Sequence, residues 1–236
     1  MKQFRFTFLL VASLFSLSAS AQTADEVIAK NIEALGGAAK LATLKSVRME
    51  SNLSVQGMDI PVVTTKVHNV GQRVDISAMG MDGYMIMTPT KGWTYMPFMG
   101  QSAPEAMPEE QVKEGAEELD LNGALFNYKE KGSTVELLGK EDIDGTSTFK
   151  IKLTTKAGKT RTYFIDAKTF FIIRMTAKAT VMGQEQEVSV SYGDYKAVDG
   201  VFFAHTIGGA FGQGDMTVTK IEVNKAVDEK IFTVGG

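Results

Sequence analysis

The sequence predicts a mainly β protein with a few helices (α+β), and three observations lead to this class. From Val47 onward, apolar and polar residues alternate with a period of two, as they do in strands that bury one face. Glycine-containing turn dipeptides separate these runs at short spacing. Apolar residues recur at helical spacing near the N-terminus and again in residues 104–121. We therefore expect an antiparallel β-meander with helices packed on it.

The first 21 residues have the features of a secretory signal peptide. Lys2 and Arg5 precede an apolar run over residues 6–17, and Ala19-Ser20-Ala21 offers small residues for cleavage. The apolar run is well short of the ~20 residues that a membrane-spanning helix needs, so a membrane anchor is the weaker interpretation. We expect an exported, soluble mature protein that consists of residues 22–236 and forms a single domain.

The composition excludes several classes of protein. Hydrophobic residues make up 44% of the 236 positions and charged residues 22%, which is typical of a soluble globular chain and not of a disordered one. The 25 Lys and Arg residues are scattered and the net charge is -3, so we expect no nucleic acid partner. The chain has no cysteine, which removes disulfides and thiolate chemistry.

The first predicted element is a helix that begins just after the predicted cleavage site. Thr23 and Glu26 form a capping box, and Gly36-Gly37 ends the helix. The apolar positions of this first helix follow a helical period and are Val27, Ile28, Ile32 and Leu35. A short second helical turn is predicted over residues 38–44.

The strands are predicted to be joined by tight turns. The expected turn positions are Asp82-Gly83, Lys91-Gly92, Asp144-Gly145, Ala157-Gly158, Gly183-Gln184 and Asp199-Gly200. The glycine-rich run over residues 208–214 lies between strand patterns, with no helix after it to hold a phosphate. We therefore interpret that run as a bulged hairpin turn.

One acidic helix is predicted to interrupt the meander over residues 104–121. It carries a narrow apolar stripe of Met107, Val112, Ala116 and Leu119. The helix could cover the sheet either as a movable lid or as fixed scaffold, and the sequence leaves both open.

Residues that could carry out catalysis are few. His68 and His205 are the only histidines, and neither lies in a metal-binding spacing. No nucleophile elbow, P-loop or dinucleotide motif is present. We expect no cofactor, no metal and no enzymatic activity, and a hydrolase that uses a dispersed Ser, His and Asp is the least favoured hypothesis.

Methionine is concentrated in one part of the chain. Of 13 methionines, seven fall within 29 residues, and flexible thioethers suit surfaces that accept variable apolar shapes. With a turn at Asp82-Gly83, Met79 and Met81 would share one face of the hairpin with Tyr84 and Ile86. Met85 and Met87 would lie on the opposite face. The same register would pair Ile86 with Tyr95 and Thr88 with Trp93. Both faces are then apolar, which predicts contact with a ligand, a helix or a partner.

The segment over residues 83–98, GYMIMTPTKGWTYMPF, resembles the paired strands of the periplasmic outer-membrane lipoprotein-sorting proteins (LolA-like). The sequence pattern of those paired strands is an apolar strand, a turn with Lys or Gly, and then Trp-x-Tyr-x-Pro. Residues 149–176 and the ending over residues 228–232 are also similar to that family. Residues 67–73, by contrast, lack the Arg-Pro turn that latches the lid in the family's carriers.

The resemblance implies an open antiparallel β half-barrel with a helical lid that encloses a cavity for acyl chains. It implies a monomeric periplasmic carrier for acylated lipoprotein or lipid cargo, with membrane-bound donor or acceptor proteins as candidate partners. The alternative is a non-enzymatic sensor or protein-interaction module of the same fold. The expected ligand-binding residues are Met79, Met81, Tyr84, Met85, Ile86, Met87, Trp93, Tyr95, Met96, Phe98 and Met107.

Overall fold

Strands dominate the part of the chain that the computed structural model describes, which is residues 22–181, 184–210 and 214–235. Thirteen strands in these ranges form one antiparallel sheet. They are β1 (Ser46–Val55), β2 (Met58–Val67), β3 (Gly71–Ala78), β4 (Met81–Met87), β5 (Gly92–Tyr95), β6 (Glu105–Ala106), β7 (Thr134–Ile143), β8 (Thr146–Thr154), β9 (Thr160–Asp166), β10 (Ile172–Val181), β11 (Gln184–Val198), β12 (Val201–Ala210) and β13 (Gly214–Val223).

The strand order follows the chain with one exception. Every strand pair joins two sequence neighbours, except that β1 also pairs with β13 and thereby joins the two halves of the meander, β1–β6 and β7–β13. The β1–β13 register places Val47 opposite Val223 and Leu53 opposite Met216. The strands at the two edges are β6 and β7, so the sheet is an open half-barrel. The predicted fold class is thus confirmed.

The helices are α1 (Ala24–Ala34), α2 (Ala38–Leu41) and α3 (Glu109–Ala116), with 3₁₀ turns at Pro97–Met99, Glu117–Leu119 and Glu229–Phe232. The predicted capping box of α1 is present. The Glu26 amide donates to Thr23 Oγ1 at 3.2 Å, and the Thr23 amide donates to Glu26 Oε2 at 2.9 Å. Among the described residues, no helix is long and apolar enough to span a bilayer.

The helices α1 and α2 pack on the same face of the sheet, which we call the inner face. Val27 and Ile28 of α1 pack with Ile151 and Leu153 of β8. Leu41 of α2 joins a neighbouring cluster that is built on β1, β12 and β13. Burial of these apolar side chains at ~25 cal/mol per Å² is what attaches the helices to the sheet.

The acidic segment over residues 104–121 differs from the single predicted helix. Glu105–Ala106 forms β6, and α3 begins only at Glu109, after Pro108 at the N-cap position. The Met107 amide is held by Gly92 O at 2.8 Å, which keeps this stretch extended beside β5. The apolar stripe is confirmed in part, because Val112 and Leu119 are buried.

The predicted turn at Asp82-Gly83 is wrong. The β3–β4 hairpin turns at Met79-Gly80, both with positive φ, and Ala78 pairs with Met81. Asp82 instead lies in β4 and accepts a hydrogen bond from Ser77 Oγ at 2.7 Å. Gly83 lets the Phe98 ring pack directly against the backbone of β4, because a Cβ at this position would lie 2.8 Å from Phe98 Cε1.

The other turn predictions mostly agree with the structure. Asp144-Gly145 and Asp199-Gly200 form the expected hairpin turns with positive φ, and Ala157-Gly158 lies between β8 and β9. The register of β12 and β13 shifts between Ile207 and Ala210, as expected of a bulged hairpin. Residues 1–21, 182–183 and 211–213 carry the predicted signal peptide, part of the Gly183-Gln184 turn and the tip of the glycine-rich turn, and they lie outside the described residues.

The C-terminal 3₁₀ turn packs on the outer face of β3, and we expect it to be essential for stability. The Phe232 ring covers Gly71, where a Cβ would lie 2.7 Å from Cγ of the ring, and Arg73 Nη1 donates to Ile231 O at 3.1 Å.

Phe232→Ala should lower the free energy of unfolding by about 3 kcal/mol because it removes a buried ring. Urea denaturation measures this loss. Val234→Ala, at a side chain that is 44% exposed, is the control and should change the free energy by less than about 0.5 kcal/mol. Equal effects of the two substitutions would contradict the assignment.

Candidate functional site

Helices and loops cover only part of the inner face. On β8 and β9 the apolar side chains are covered by α1 together with Leu125 and Tyr128. On β1, β12 and β13 they meet Leu41, Leu44 and Phe126. These two clusters are therefore ordinary core between a sheet and the elements above it.

A third cluster on the inner face contains no helical residue among the residues that the structure describes. Its buried members come only from strands and are Leu53, Val62, Val74 and Ala210. Six further apolar side chains pack around them but stay half-buried: Val55, Ile60, Ile76, Met85, Ile207 and Met216. We call these ten residues the inner-face groove. Its half-buried aliphatic and thioether groups are an apolar surface with room for further burial.

One end of the inner-face groove opens near the β1–β2 and β3–β4 turns. A recess of about 350 Å³ there is lined by Met58, Ile60 and Met79, together with Asp59, Ser77 and Ala78. Met58 is 50% exposed and Met79 75% exposed, which is unusual for large apolar side chains. Flexible methionines at an opening can adapt to ligands of different shape.

Seven of the eleven predicted site residues lie on or beside the inner face. Met85 belongs to the inner-face groove, and Met87 on the same face is covered by Gly115 of α3, where a Cβ would lie 2.6 Å from Met87 Cε. The remaining five lie around these two on the groove's margin: Met79 at the exposed turn, Met81 at the start of β4, Met96 and Phe98 against Gly83, and Met107 against Gly92.

The other four predicted residues lie on the outer face, which corrects the expected site. Ile86 pairs with Trp93, and Tyr84 pairs with Tyr95 with ring centroids 5.6 Å apart. The expected pairs, Ile86 with Tyr95 and Thr88 with Trp93, are therefore wrong by two residues. Met81 also shares its face with Met85 and not with Tyr84, because the turn lies at Met79-Gly80.

The end of the lid segment, α3 with the following 3₁₀ turn, is fastened to the sheet by charged side chains. Arg161 Nη2 of β9 lies 2.7 Å from Glu118 Oε1 and 3.3 Å from Glu117 Oε2. Lys66 of β2 donates from Nζ to Glu118 O at 3.2 Å. Burial lowers the pKa of Lys66, although the nearby Glu118 carboxylate acts in the opposite direction.

The β2–β3 turn also holds the lid segment, although it has no Arg-Pro sequence. The Asn69 amide donates to Leu119 O at 3.0 Å, and the Leu121 amide donates to His68 Nδ1 at 3.2 Å. His68 thus has a structural contact in this turn. No group of three or more metal-ligating side chains occurs within the described ranges.

A small cavity lies beneath the lid segment, and no sequence pattern predicted it. Its volume is about 190 Å³, and much of its lining is apolar, with Ile32, Leu35, Leu125, Phe126, Ile172 and Met175. We call it the polar cavity because hydrogen-bonding side chains also reach its wall: Asn31, Glu118, Asn122, Arg161, Tyr163 and Tyr192. Burial raises the pKa of Tyr163, and burial together with Glu118 raises the pKa of Tyr192 to about 12, so both phenols are neutral. The lining residues come from five separate segments, and no sequence motif links them.

The sequence has no match among protein-family models or curated proteins. Solved structures do resemble the fold. A LolA superfamily protein from Nitrosomonas europaea is 16% identical over 91% of this chain and 99% of its own, with a TM-score of 0.56. A DUF1329 family protein from Desulfovibrio piger is 11% identical over 90% and 98%, also with a TM-score of 0.56.

A third similar structure is a domain from Vibrio parahaemolyticus proposed to belong to an outer membrane lipoprotein-sorting protein. It is 12% identical over 88% of this chain and 94% of its own, with a TM-score of 0.50. At these identities the likeness shows the fold, and the chain has a LolA-like fold. The structural part of the resemblance seen in the sequence is confirmed.

The Arg161 contacts lead to a prediction about the mobility of the lid segment. Arg161→Ala should speed hydrogen exchange of the α3 amides by about tenfold or more, because losing charged hydrogen bonds of this kind costs roughly 1.5–3 kcal/mol and about 1.4 kcal/mol corresponds to tenfold. Arg174→Ala is the matched control, since Arg174 pairs with the exposed Asp144 at 3.0 Å and does not touch the lid segment. Exchange rates for α3 that are the same in both variants would show that the buried Val112 and Leu119 alone hold the segment.

Proposed function

We propose that this chain is a periplasmic carrier that binds the acyl chains of lipoproteins or lipids in the inner-face groove. In this proposal it transfers or sorts them toward the outer membrane. The observation that carries the proposal is the uncovered apolar strip on the inner face, where six apolar side chains remain half-buried. Contiguous apolar surface that stays partly exposed marks an interaction site, and the recess at the end of the groove gives a ligand a place to enter.

The energetics suit a carrier that holds its cargo without covalent bonds. Each methylene that moves from water into an apolar site contributes roughly 0.8 kcal/mol, so a chain that fills part of the groove gains several kcal/mol. The groove includes Met85 and Met216, whose flexible side chains can adjust to different chains. Such a function requires neither a catalytic residue nor a cofactor.

The comparison with solved structures supports the proposal by analogy of fold. The Vibrio parahaemolyticus domain is described in terms of outer membrane lipoprotein sorting, and the fold is shared. In the same proposal the carrier is a monomer, and membrane-bound proteins deliver the cargo to it or receive the cargo from it. Fold analogy alone does not determine function, so the inner-face groove must carry the argument.

A second candidate is a non-enzymatic sensor or protein-interaction module, and one observation favours it. Tyr84, Trp93 and Tyr95 lie together on the outer face and are only half-buried. The Arg73 guanidinium lies 4.6 Å from the centroid of the Tyr84 ring. Aromatic residues and arginine are enriched where proteins bind one another, so this surface suits a protein partner.

Binding of a fluorescent fatty acid tests the carrier proposal. Met216→Glu should weaken binding by about tenfold or more, because a carboxylate in the groove loses hydration without gaining a partner, which costs at least ~1.4 kcal/mol. Met85→Glu should act in the same direction from the other side of the groove. Fluorescence titration of each purified variant gives the dissociation constant.

Thr217→Glu is the matched control because it introduces the same charge one residue away. Thr217 is exposed, and the alternation of the strand places its side chain on the outer face. Its affinity for the fatty acid should stay within about twofold of wild type. If all three variants bind alike while circular dichroism shows an intact fold, the groove is not the binding site and the second candidate is favoured.

Export is also part of the proposal and has its own test. The mature chain should begin at Gln22 and be recovered in the periplasmic fraction, because the basic residues, apolar run and Ala19-Ser20-Ala21 together form a signal peptide. N-terminal sequencing of the exported protein checks this. Recovery of a chain that begins at Met1 would refute it.

A further inference from the structure

The polar cavity under the lid segment contains hydrogen-bond acceptors that the protein itself does not satisfy. Asn31 is 1% exposed, and its Nδ2 donates to Phe170 O at 2.7 Å, which fixes the orientation of the amide. Its Oδ1 has no partner, and neither has Oδ1 of Asn122. A buried acceptor without a partner loses its hydration without compensation, so each of these oxygens favours a molecule that brings a hydrogen-bond donor.

The charges on the cavity wall are already balanced. Within the described part of the chain, the charged side chains that line the cavity are Arg161 and Glu118, and they form an ion pair at 2.7 Å. The two tyrosines on the wall, Tyr163 and Tyr192, are neutral. An additional charge in the cavity would disturb this balance, whereas an uncharged group would leave it intact. The cavity therefore favours a neutral, donor-bearing group.

The size and place of the cavity indicate which part of a ligand it could hold. Its volume of about 190 Å³ is below the roughly 300–1,000 Å³ of pockets that enclose a whole drug-sized ligand. Tyr192 on its wall is the direct cross-strand partner of Ile207, which belongs to the inner-face groove. The cavity and the groove are therefore neighbours on the inner face.

We infer that this cavity binds the uncharged, hydroxyl-bearing headgroup of an acylated ligand, of the glycerol type, while the acyl chain occupies the inner-face groove. The hydroxyls donate to the free Oδ1 atoms of Asn31 and Asn122, and they exchange hydrogen bonds with the phenol of Tyr192. The inference rests on the proposed function and specifies the class of lipid.

Competition against the fluorescent fatty acid tests the inference. Three competitors carry a chain of the same ten carbons and differ at the head: monodecanoylglycerol and methyl decanoate, which are decanoyl esters, and decyl phosphate, which carries a decyl chain. The wild-type protein should bind monodecanoylglycerol about tenfold more tightly than methyl decanoate, and decyl phosphate should gain no such advantage. Tyr192→Phe combined with Asn122→Ala should reduce the ratio to within about twofold and leave the affinity for methyl decanoate unchanged.

Controls separate the failure of this inference from that of the carrier proposal. Tyr84→Phe removes the same hydroxyl from an outer-face tyrosine and should keep the wild-type ratio. If the double variant is poorly folded, Tyr192→Phe alone should still lower the ratio by at least threefold. Equal affinities for monodecanoylglycerol and methyl decanoate would mean that water donates to the Oδ1 atoms of Asn31 and Asn122. That result would overturn the headgroup site but not the carrier proposal. If none of the three competes and the fatty acid itself does not bind, both proposals fail.

Discussion

The pairing of β1 with β13 is the contact on which the rest of the structure depends. Among the described strands, every other pair joins sequence neighbours, so only this pair brings the first and the last strand together. Side chains reinforce it at one end, where Asn224 Oδ1 accepts from the Lys45 amide at 2.7 Å and Ser46 Oγ donates to Lys225 O at 2.7 Å. Closing so long a loop has an entropic cost that local hairpins avoid. Because β13 also pairs with β12, the β1–β13 contact places apolar residues of β1 and β12 on one continuous face of the sheet.

A sheet of this width has more apolar inner face than its helices can cover. The three helices have 11, 4 and 8 residues, and they pack near β8 and β9, near β1 and β13, and beside β4. The strip that includes Leu53, Val62 and Val74 is left without a helix within the described part of the chain. A closed barrel would bury such a strip completely, and a polar strip would need no cover. An open sheet that keeps it apolar is suited to a removable apolar occupant.

Local signals predicted the elements of the fold well, and long-range packing decided the rest. The Thr23 capping box and the Asp144-Gly145 turn depend on neighbouring residues alone, so the sequence contains their cause. At Asp82-Gly83 the same turn rule failed, because Gly83 is needed for the approach of Phe98, which the rule does not consider. The period of two correctly placed Met85 and Ile86 on opposite faces of the sheet. Whether Met85 or Ile86 points toward the groove depends on where the helices pack, and no local pattern carries that information. The polar cavity could not be predicted for the same reason.

The contact that fastens the lid segment also bears on which headgroup fits beneath it. The side chain of Arg161 is 16% exposed, whereas that of its partner Glu118 is 56% exposed, so the guanidinium is the buried member of the pair. An anionic headgroup in the cavity would compete with Glu118 for the guanidinium, and a cationic headgroup would be repelled by the guanidinium. A neutral hydroxylated group forms its hydrogen bonds with Asn31 and Asn122 and leaves the pair intact. Closure of the lid segment and discrimination against charged headgroups would then follow from one ion pair, without any residue dedicated to either task alone.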